Sequence, residues 1–570
     1  MYYDFKVKIP SETKKICFKK VKSSVYVNYE YDRIYIPERQ YTNVKRTTIG
    51  KVCEDDDSMM YPNPNFIKFF PDAQLPTDTE NPKRSLCLRI GTHLVLEKLV
   101  KESRIETILS QIYDERGVGL FLDLAAYLIT MEDNASVHYP DYAYNHPLFT
   151  EEEKIYSDST ISRFIHEMST EDSVKFQNEW NRNRNHSEKI YISYDSTNKH
   201  CEAGDIELIE MGHFKDGSQL PIVNVSMAYD TSNREPLFYE EYPGSIVDVS
   251  QLQLMLEKAA DFGYQNAAFI LDRGYFSRPN IRYMDSHGYD FVIMLKGMKS
   301  LVKEVVLQAK GSFEEKRNSY ISRYQVYGTT IARTLFASDE KNRYIHIFYN
   351  AGKAASEKEH LQCKIDGMAK LLEKMQGTEY TLDASYLKYF DPEYKDGYFV
   401  CAKEKFDVID EELSLCGYFC IVTSEKMTAK EAIELYKSRD YSEKLFAADK
   451  SFLGSKSMRV ASSSSLTGKL LIEFAALILR NRFYTKLKDE TEKMVEKPNF
   501  MNVPSAIREL EKIEMVKGSA GVYRLSYALT ANQKTILKAF GIDTAYVKEK
   551  ATEIRDRLNP NVLTVKINRQ

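Results

Sequence analysis

Tryptophan, paired cysteines and long apolar runs are what this sequence lacks. It has a single Trp, at position 180, and eight cysteines with no C-x-x-C pair; the nearest two, Cys416 and Cys420, sit in the apolar run LCGYFCIV. A zinc cluster is disfavoured on that spacing. No stretch reads as a signal peptide or as the ~20 apolar residues of a membrane span. The expectation is therefore reduced thiols, a cytoplasmic location and no membrane partner. No G-x4-G-K-[ST] loop occurs, which argues against ATP-driven chemistry. No internal repeat or long low-complexity tract stands out, and SSSS at 462–465 reads as a local turn.

At 570 residues the chain exceeds what one hydrophobic core serves, and two to four domains are expected. With 43% hydrophobic and 28% charged residues and a mean hydropathy of −0.46, the composition is that of a soluble globular protein. The 40 tyrosines fit either half-wet stacking surfaces or a compositional bias. Net charge is only −4, so the whole chain does not announce a nucleic-acid binder. Its distribution does more. Residues 1–51 hold twelve Lys or Arg, including Lys14, Lys19, Lys20, Lys22, Arg39 and Lys51, against five acids. A basic arm of this kind is a common footprint of phosphate binding.

Periodicity divides the chain into five blocks. Residues 1–186 form an N-terminal α+β region, its basic arm suited to a polyanion such as DNA: strands as in SSVYVNYEYDRIYI, then amphipathic helices over 85–113 and 119–131, then capped helices in SDSTISRFIHEM and EDSVKFQNEWNRNRN. The polar NRNRNHSEK reads as a linker. Residues 187–300 follow as an α/β core: a strand KIYISYDS ending at Asp195, two strands around a turn within 206–230, a helix, and AAFILDRGYF with a strand ending at Asp272. That order is how an RNase H-like core begins. Residues 301–415 read as a β-rich insertion that splits the core, and 416–490 as its second part, with a capping box at Thr428 and Glu431. Residues 491–570 form a mostly helical C-terminal segment.

The chemistry gathers at three acids. Asp195 and Asp272 end strands, and Glu443 lies on a helix after the insertion. Three converging carboxylates repel, at about 4 kcal/mol per pair for 4 Å and an effective dielectric near 20. Two divalent ions roughly 3.5–4 Å apart resolve that repulsion, and hard oxygens with little His or Cys nearby favour Mg²⁺, with Mn²⁺ as substitute. In YKSRDYSEKLFAADK, Tyr436, Arg439, Glu443 and Lys450 fall at roughly 0°, 300°, 340° and 320° around one helical axis. All four share one stripe. Asp272 is followed by Arg273 and by a glycine that lets the backbone turn closely, then Tyr275.

On these residues the chain resembles the DDE transposases of bacterial insertion sequences, in the group marked by Y-x2-R-x3-E-x6-K. Tyr436, Arg439, Glu443 and Lys450 satisfy that pattern in full, and the D-S-T segment at Asp195 and DRGYF at Asp272 come in the family's order. The resemblance covers about 187–300 and 416–485. It implies that Asp195, Asp272 and Glu443 form the catalytic, metal-holding triad for two ions. Tyr436, Arg439 and Lys450 are then expected to contact phosphates, with Arg273 and Tyr275 as further DNA contacts. It implies double-stranded DNA partners, namely terminal inverted repeats and target DNA, with a homodimer at synapsis in the bacterial cytoplasm. The reaction would free a 3′-hydroxyl at the element end and then join it to target DNA. The family's insertion accounts for the 171 positions between Asp272 and Glu443. Some relatives stack a flipped base on a tryptophan; here Trp180 precedes the core, and Tyr275 or Phe276 are the alternatives. Three other readings remain: an RNase H-like nuclease without strand transfer, a domesticated DNA-binding protein, and a carboxylate-pair glycosidase.

Overall fold

The computed structural model describes residues 6–10, 15–21, 24–36, 41–53, 56–71, 73, 84–182, 184, 188–203, 206–212, 220–246, 248–295, 299–336, 338–339, 341–518 and 522–558. The chain forms two compact units, Met1–Lys83 and Arg84–Gln570. The first unit therefore ends about a hundred residues before the expected boundary at 186.

In the first unit, β1 (Val7–Lys8), β2 (Ile16–Val21), β3 (Ser24–Ile36), β4 (Tyr41–Val52) and β5 (Met59–Pro62) make a sheet in the order β1-β5-β4-β3-β2. All its pairings are antiparallel. Val7, Val27, Val52 and Met60 are buried with Phe66 of α1 (Pro64–Phe69). Lys14, Lys22 and Arg39 of the basic arm lie outside the described residues.

The second unit opens with β6 (Cys87–Arg89) and the helices α2 (Gly91–Ser103), α3 (Ile105–Leu109), α4 (Glu115–Met131), α5 (Tyr139–Asn145), α6 (Asp158–Glu167) and α7 (Thr170–Arg182). The helix expected over 85–113 is thus preceded by a strand and interrupted at Arg104, which adopts a left-handed conformation. Next come β7 (Ile190–His200), β8 (Glu210–Met211), β9 (Pro221–Asp230), β10 (Glu235–Pro243), α8 (Asp248–Asp261), β11 (Ala267–Leu271), α9 (Arg278–Ser286) and β12 (Asp290–Met294). Within 206–230 the first of the two expected strands is the short β8, which pairs with β9, and the turn between them falls on 213–219, outside the described residues. The third long strand is β10, which periodicity missed. Residues 183 and 185–187 of the expected linker are also outside the described set.

The middle block departs most from expectation. After α10 (Lys299–Ala309), the strands β13 (Tyr320–Ile321), β14 (Val326–Arg333) and β15 (Arg343–Tyr349) do not stand apart. They join the main sheet through β18 (Tyr418–Thr423), which pairs with both β12 and β15. What lies between β15 and β18 is mostly helical: α11 (Ala351–Lys374), α12 (Ala384–Leu387), the hairpin β16 (Phe390–Lys395) and β17 (Tyr398–Glu404), and α13 (Phe406–Leu415). These elements bury Ile365, Leu372, Phe390 and Phe399 in a small core of their own.

The chain ends with α14 (Ala429–Ser438), α15 (Asp440–Phe452), α16 (Ser463–Glu492), α17 (Val503–Leu510), β19 (Glu514–Lys517), β20 (Tyr523–Leu525), α18 (Ala531–Ala539) and α19 (Thr544–Leu558). The expected SSSS turn is the start of α16, with Ser462 accepting the Ser465 N–H. The expected C-terminal segment is not separate, because β19 pairs with β6.

The ten-stranded sheet runs β10-β9-β7-β11-β12-β18-β15-β14-β13, with β8 on β9. Only β7–β11 and β11–β12 are parallel. Side chains alternate across a strand. Ile190, Ile192 and Tyr194 of β7, with Phe269 and Leu271 of β11, enter the core under α8, α9 and α10. Ser193, Asp195, Thr197 and Lys199 therefore share the opposite face, where α14, α15 and α16 lie. The thirty-residue α16 is buried over most of its length. At Gly468 it passes so close to α6 that a Cβ would stand 2.4 Å from the Ile165 carbonyl oxygen.

Polar groups lock α15 and α16 onto β7. Ser193 and Ser442 share a buried hydroxyl–hydroxyl bond of 2.8 Å. Lys199 Nζ reaches Asp449 Oδ2 of α15 at 2.7 Å and Glu473 Oε2 of α16 at 2.8 Å, and all three side chains are buried. Burial lowers the lysine's pKa, but the two carboxylates outweigh it and hold the net value above the ordinary one. Burial also pushes Asp449 up to about 6, against the pull of Lys199.

Lys199→Met should lower stability by about 3–5 kcal/mol in urea denaturation, because it leaves two buried acids without a counter-charge. The raised Asp449 pKa adds stability below its ordinary value near ~4, and that contribution is lost as pH rises through ~6. Asp449→Asn should therefore remove part of the decline in urea midpoint between those two pH values.

Candidate active site

Asp195 sits in mid-strand, not at a strand end as expected. β7 continues to His200 because residues 195–200 pair with β9, while its parallel partner β11 stops opposite Tyr194. Leu271 pairs with Tyr194, so Asp272, one residue on, emerges beside Asp195. Sheet register alone makes the two acids neighbours. Asp272 leads into a short 3-10 turn over Arg273–Tyr275. Gly274 is not what permits that turn: a Cβ there would meet nothing within 4 Å.

Glu443 comes from α15. The expected single helix is two, α14 and α15, meeting at Arg439, whose φ of −56° and ψ of −25° remain helical. The interruption is slight, and Arg439 and Glu443 still lie one turn apart. The Thr428–Glu431 capping box starts α14 as expected.

Arg439 occupies the middle of the three acids. Nη1 stands 3.3 Å from Asp195 Oδ2 and Nη2 3.9 Å from Asp272 Oδ1, and Nη2 also bonds Glu443 Oε1. The guanidinium is 14% exposed, against 18%, 37% and 47% for Asp195, Asp272 and Glu443. Burial opposes its charge, but Tyr436 and the three acids outweigh that and hold its pKa above the ordinary arginine value. Three negative charges against one positive leave the cluster two short of neutrality. That deficit and the hard-oxygen donors suit a divalent cation. Among the described residues, no group of three or more His, Cys, Asp or Glu side chains is arranged to hold a metal ion. The acids converge, then, on a guanidinium rather than around a ready-made metal cage.

The other expected contacts divide by exposure. Tyr436 is 6% exposed and its hydroxyl donates to Asp272 Oδ1 at 3.3 Å, so in this structure it faces an acid rather than solvent. Burial, with Asp272 adding to it, pushes that phenol up to about 12. Tyr275 is 2% exposed and packs on Tyr194 with ring centroids 5.4 Å apart, which withdraws it from the surface. Phe276 stacks on Phe336, and Trp180 donates to the Pro236 carbonyl from a buried position. Arg273 is exposed and Lys450 half-buried. Sequence reasoning missed Ser193, Lys199, Ser442, Asp449 and Glu473, which hold the site's elements together. The polar alternation Ser193, Asp195, Thr197, Lys199 was the available signal.

A mixed sheet with three acids from two strands and a helix, drawn to one face, defines a class of carboxylate-centred site. The chain matches the family described as transposase DDE domain over residues 194–479, half of its length, and belongs to that family. All three acids and Arg439 fall inside the matched region. No curated protein matches the chain. Among solved structures, the cryo-EM structure of a piggyBac transposase synaptic complex with hairpin DNA is similar at 10% identity and a TM-score of 0.28. The similarity covers 64% of this chain and 57% of that one. At that level it carries no weight for the site.

Among the described residues no helix is long and apolar enough to cross a membrane.

Arg439→Ala should lower the melting temperature of metal-free protein, since the three acids lose the counter-charge that lies among them. Added Mn²⁺ should then raise the melting temperature more in the variant than in the wild type, because ligand linkage stabilises whichever state binds it. Differential scanning fluorimetry reads both effects; equal Mn²⁺ shifts would show that the ion and the guanidinium do not compete for these oxygens.

Proposed function

We propose that this protein is the transposase of an insertion sequence, cutting DNA at the element's terminal inverted repeats and joining the freed 3′ ends to target DNA. The observation that carries the reading is the convergence of Asp195, Asp272 and Glu443 on one face of the sheet, inside the region that matches the family. The order β10-β9-β7-β11-β12, with two antiparallel then two parallel pairings, supports an RNase H-like core. On this reading the elements from α10 to α13 are an insertion that both extends the sheet, through β13–β15 on β18, and adds the small α11–α13 body.

Members of the family generally use divalent metal ions. Mg²⁺ or Mn²⁺, two ions per site, would be held by Asp195, Asp272 and Glu443, and would supply activation of the attacking oxygen and neutralisation of phosphate charge. Tyr436 orients Asp272 through its hydroxyl. Arg439 balances the acids in the absence of substrate and is placed to meet a phosphate. Lys450, roughly 10 Å beyond Glu443 along α15, and exposed Arg273 suit neighbouring phosphates. The protein acts by positioning and charge, with no covalent intermediate. A homodimer pairing two ends, working in the cytoplasm, completes the proposal.

Asp195→Asn, Asp272→Asn and Glu443→Gln should each keep affinity for element ends while cutting falls ~10³-fold or more, about 4 kcal/mol of barrier. Mapping 3′ ends on DNA flanking the protein's own gene, with and without Mg²⁺, checks this. Nicking retained by any one variant removes that residue from the triad. Cut ends that never appear joined to a target plasmid would reduce the function to that of a nuclease.

A further inference from the structure

The first unit carries a row of alternating cations and rings that periodicity alone does not reveal. Cross-strand register pairs Lys19 of β2 with Tyr26 of β3, Tyr26 with Lys51 of β4, and Lys51 with Tyr61 of β5. Lys6, just before β1, places its Nζ 6.0 Å from the Tyr61 ring centroid. Read across the sheet, the row is Lys19, Tyr26, Lys51, Tyr61, Lys6. Val27 follows Tyr26, Val52 follows Lys51 and Met60 precedes Tyr61, and all three are in the buried core of the unit. Strand alternation therefore puts the row on the face away from that core. Lys19 is exposed, and Tyr26, Lys51, Tyr61 and Lys6 are half-buried.

Neighbouring strands are about 4.8 Å apart, so the row spans roughly 19 Å, with like residues recurring about every 10 Å. The next registered positions on this face, Cys17, Asn28 and Thr48 on one side and Lys8 and Met59 on the other, include no acid. The surrounding arm is strongly basic, twelve Lys or Arg against five acids in residues 1–51. Polyanion binding accounts for the lysines but not for the two tyrosines between them. A tyrosine ring can stack only on a base whose face is open, and duplex bases cover one another. The combination of cations and rings at regular spacing is that of a platform for an unpaired strand.

We propose that this sheet face binds single-stranded DNA, with Tyr26 and Tyr61 stacking on bases and Lys19, Lys51 and Lys6 holding the phosphates between them. The inference rests on the DNA-processing role above for the choice of DNA as the polyanion.

The test uses the full chain and a short fluorescein-labelled oligonucleotide of mixed sequence, single-stranded or annealed to its complement. Fluorescence anisotropy is read over a range of salt concentrations. The double variant Tyr26→Ala/Tyr61→Ala should lose about tenfold or more in single-strand affinity and leave duplex affinity unchanged. Tyr26→Phe/Tyr61→Phe, which keeps the rings, should bind as the wild type does. Lys19→Gln/Lys51→Gln should lower the slope of log affinity against log salt by about 1.4 on the single strand. Wild-type single-strand affinity in the double alanine variant overturns the proposal, and so does an equal loss on single strand and duplex. Cutting assays keep the two proposals apart. If the tyrosine pattern holds while the wild type cuts no element ends, the sheet assignment stands and the transposase reading falls. If the wild type cuts while the alanine variant binds single strands normally, the reverse applies.

Discussion

Carboxylates do not share a small space unless something positive shares it with them. Asp195, Asp272 and Glu443 share one site here with the Arg439 guanidinium between them, bonding or facing each. Its geometry suits that role: a planar fork of donors can serve several acceptors at once, which a lysine ammonium on a flexible stem does less well. One positive charge among three negative ones leaves these four side chains with a net charge of −2 between them.

The frame around this cluster is built so that the acids cannot drift. Two of them are fixed by sheet register, one residue beyond the last parallel pair of β7 and β11. The third depends on how α15 sits on the sheet. The Ser193–Ser442 bond and the Lys199 ion pairs tie that helix to the same face of β7 that carries Asp195. Tyr441 stacks on Tyr229 of β9 at 6.3 Å, adding a third attachment. A buried ionic tie is a poor way to gain stability but an effective way to specify one alignment over others, because any slip strands a charge.

Much of this was legible in local sequence. Strand alternation, the DRGYF turn, the Thr428–Glu431 capping box and the spacing of Arg439 and Glu443 are short-range signals, and the structure places those elements where the signals do. Long-range features were not legible. Nothing in YISRYQVYGTT or YIHIFYN says that its partner is a strand at 418–423, so β13–β15 read as an insertion of their own. A stripe of Tyr, Arg, Glu and Lys on a helix reads equally well as a rail facing outward, whereas Tyr436 and Arg439 turn inward against the acids. The Lys199–Glu473 pair joins residues 274 positions apart, and only folding brings them together.

That separation also bears on how the molecule comes into being. Asp195 is made early on the ribosome, but its helix partner follows only after β13–β15 and the α11–α13 body have been synthesised, and α16 follows later still. Contacts this distant along the chain are slow to close, and N-terminal parts fold first during translation. A chain of this layout carries no assembled carboxylate cluster while it is nascent. Incomplete products that stop before α15 hold two of the three acids and lack both Glu443 and the Arg439 guanidinium that lies among them.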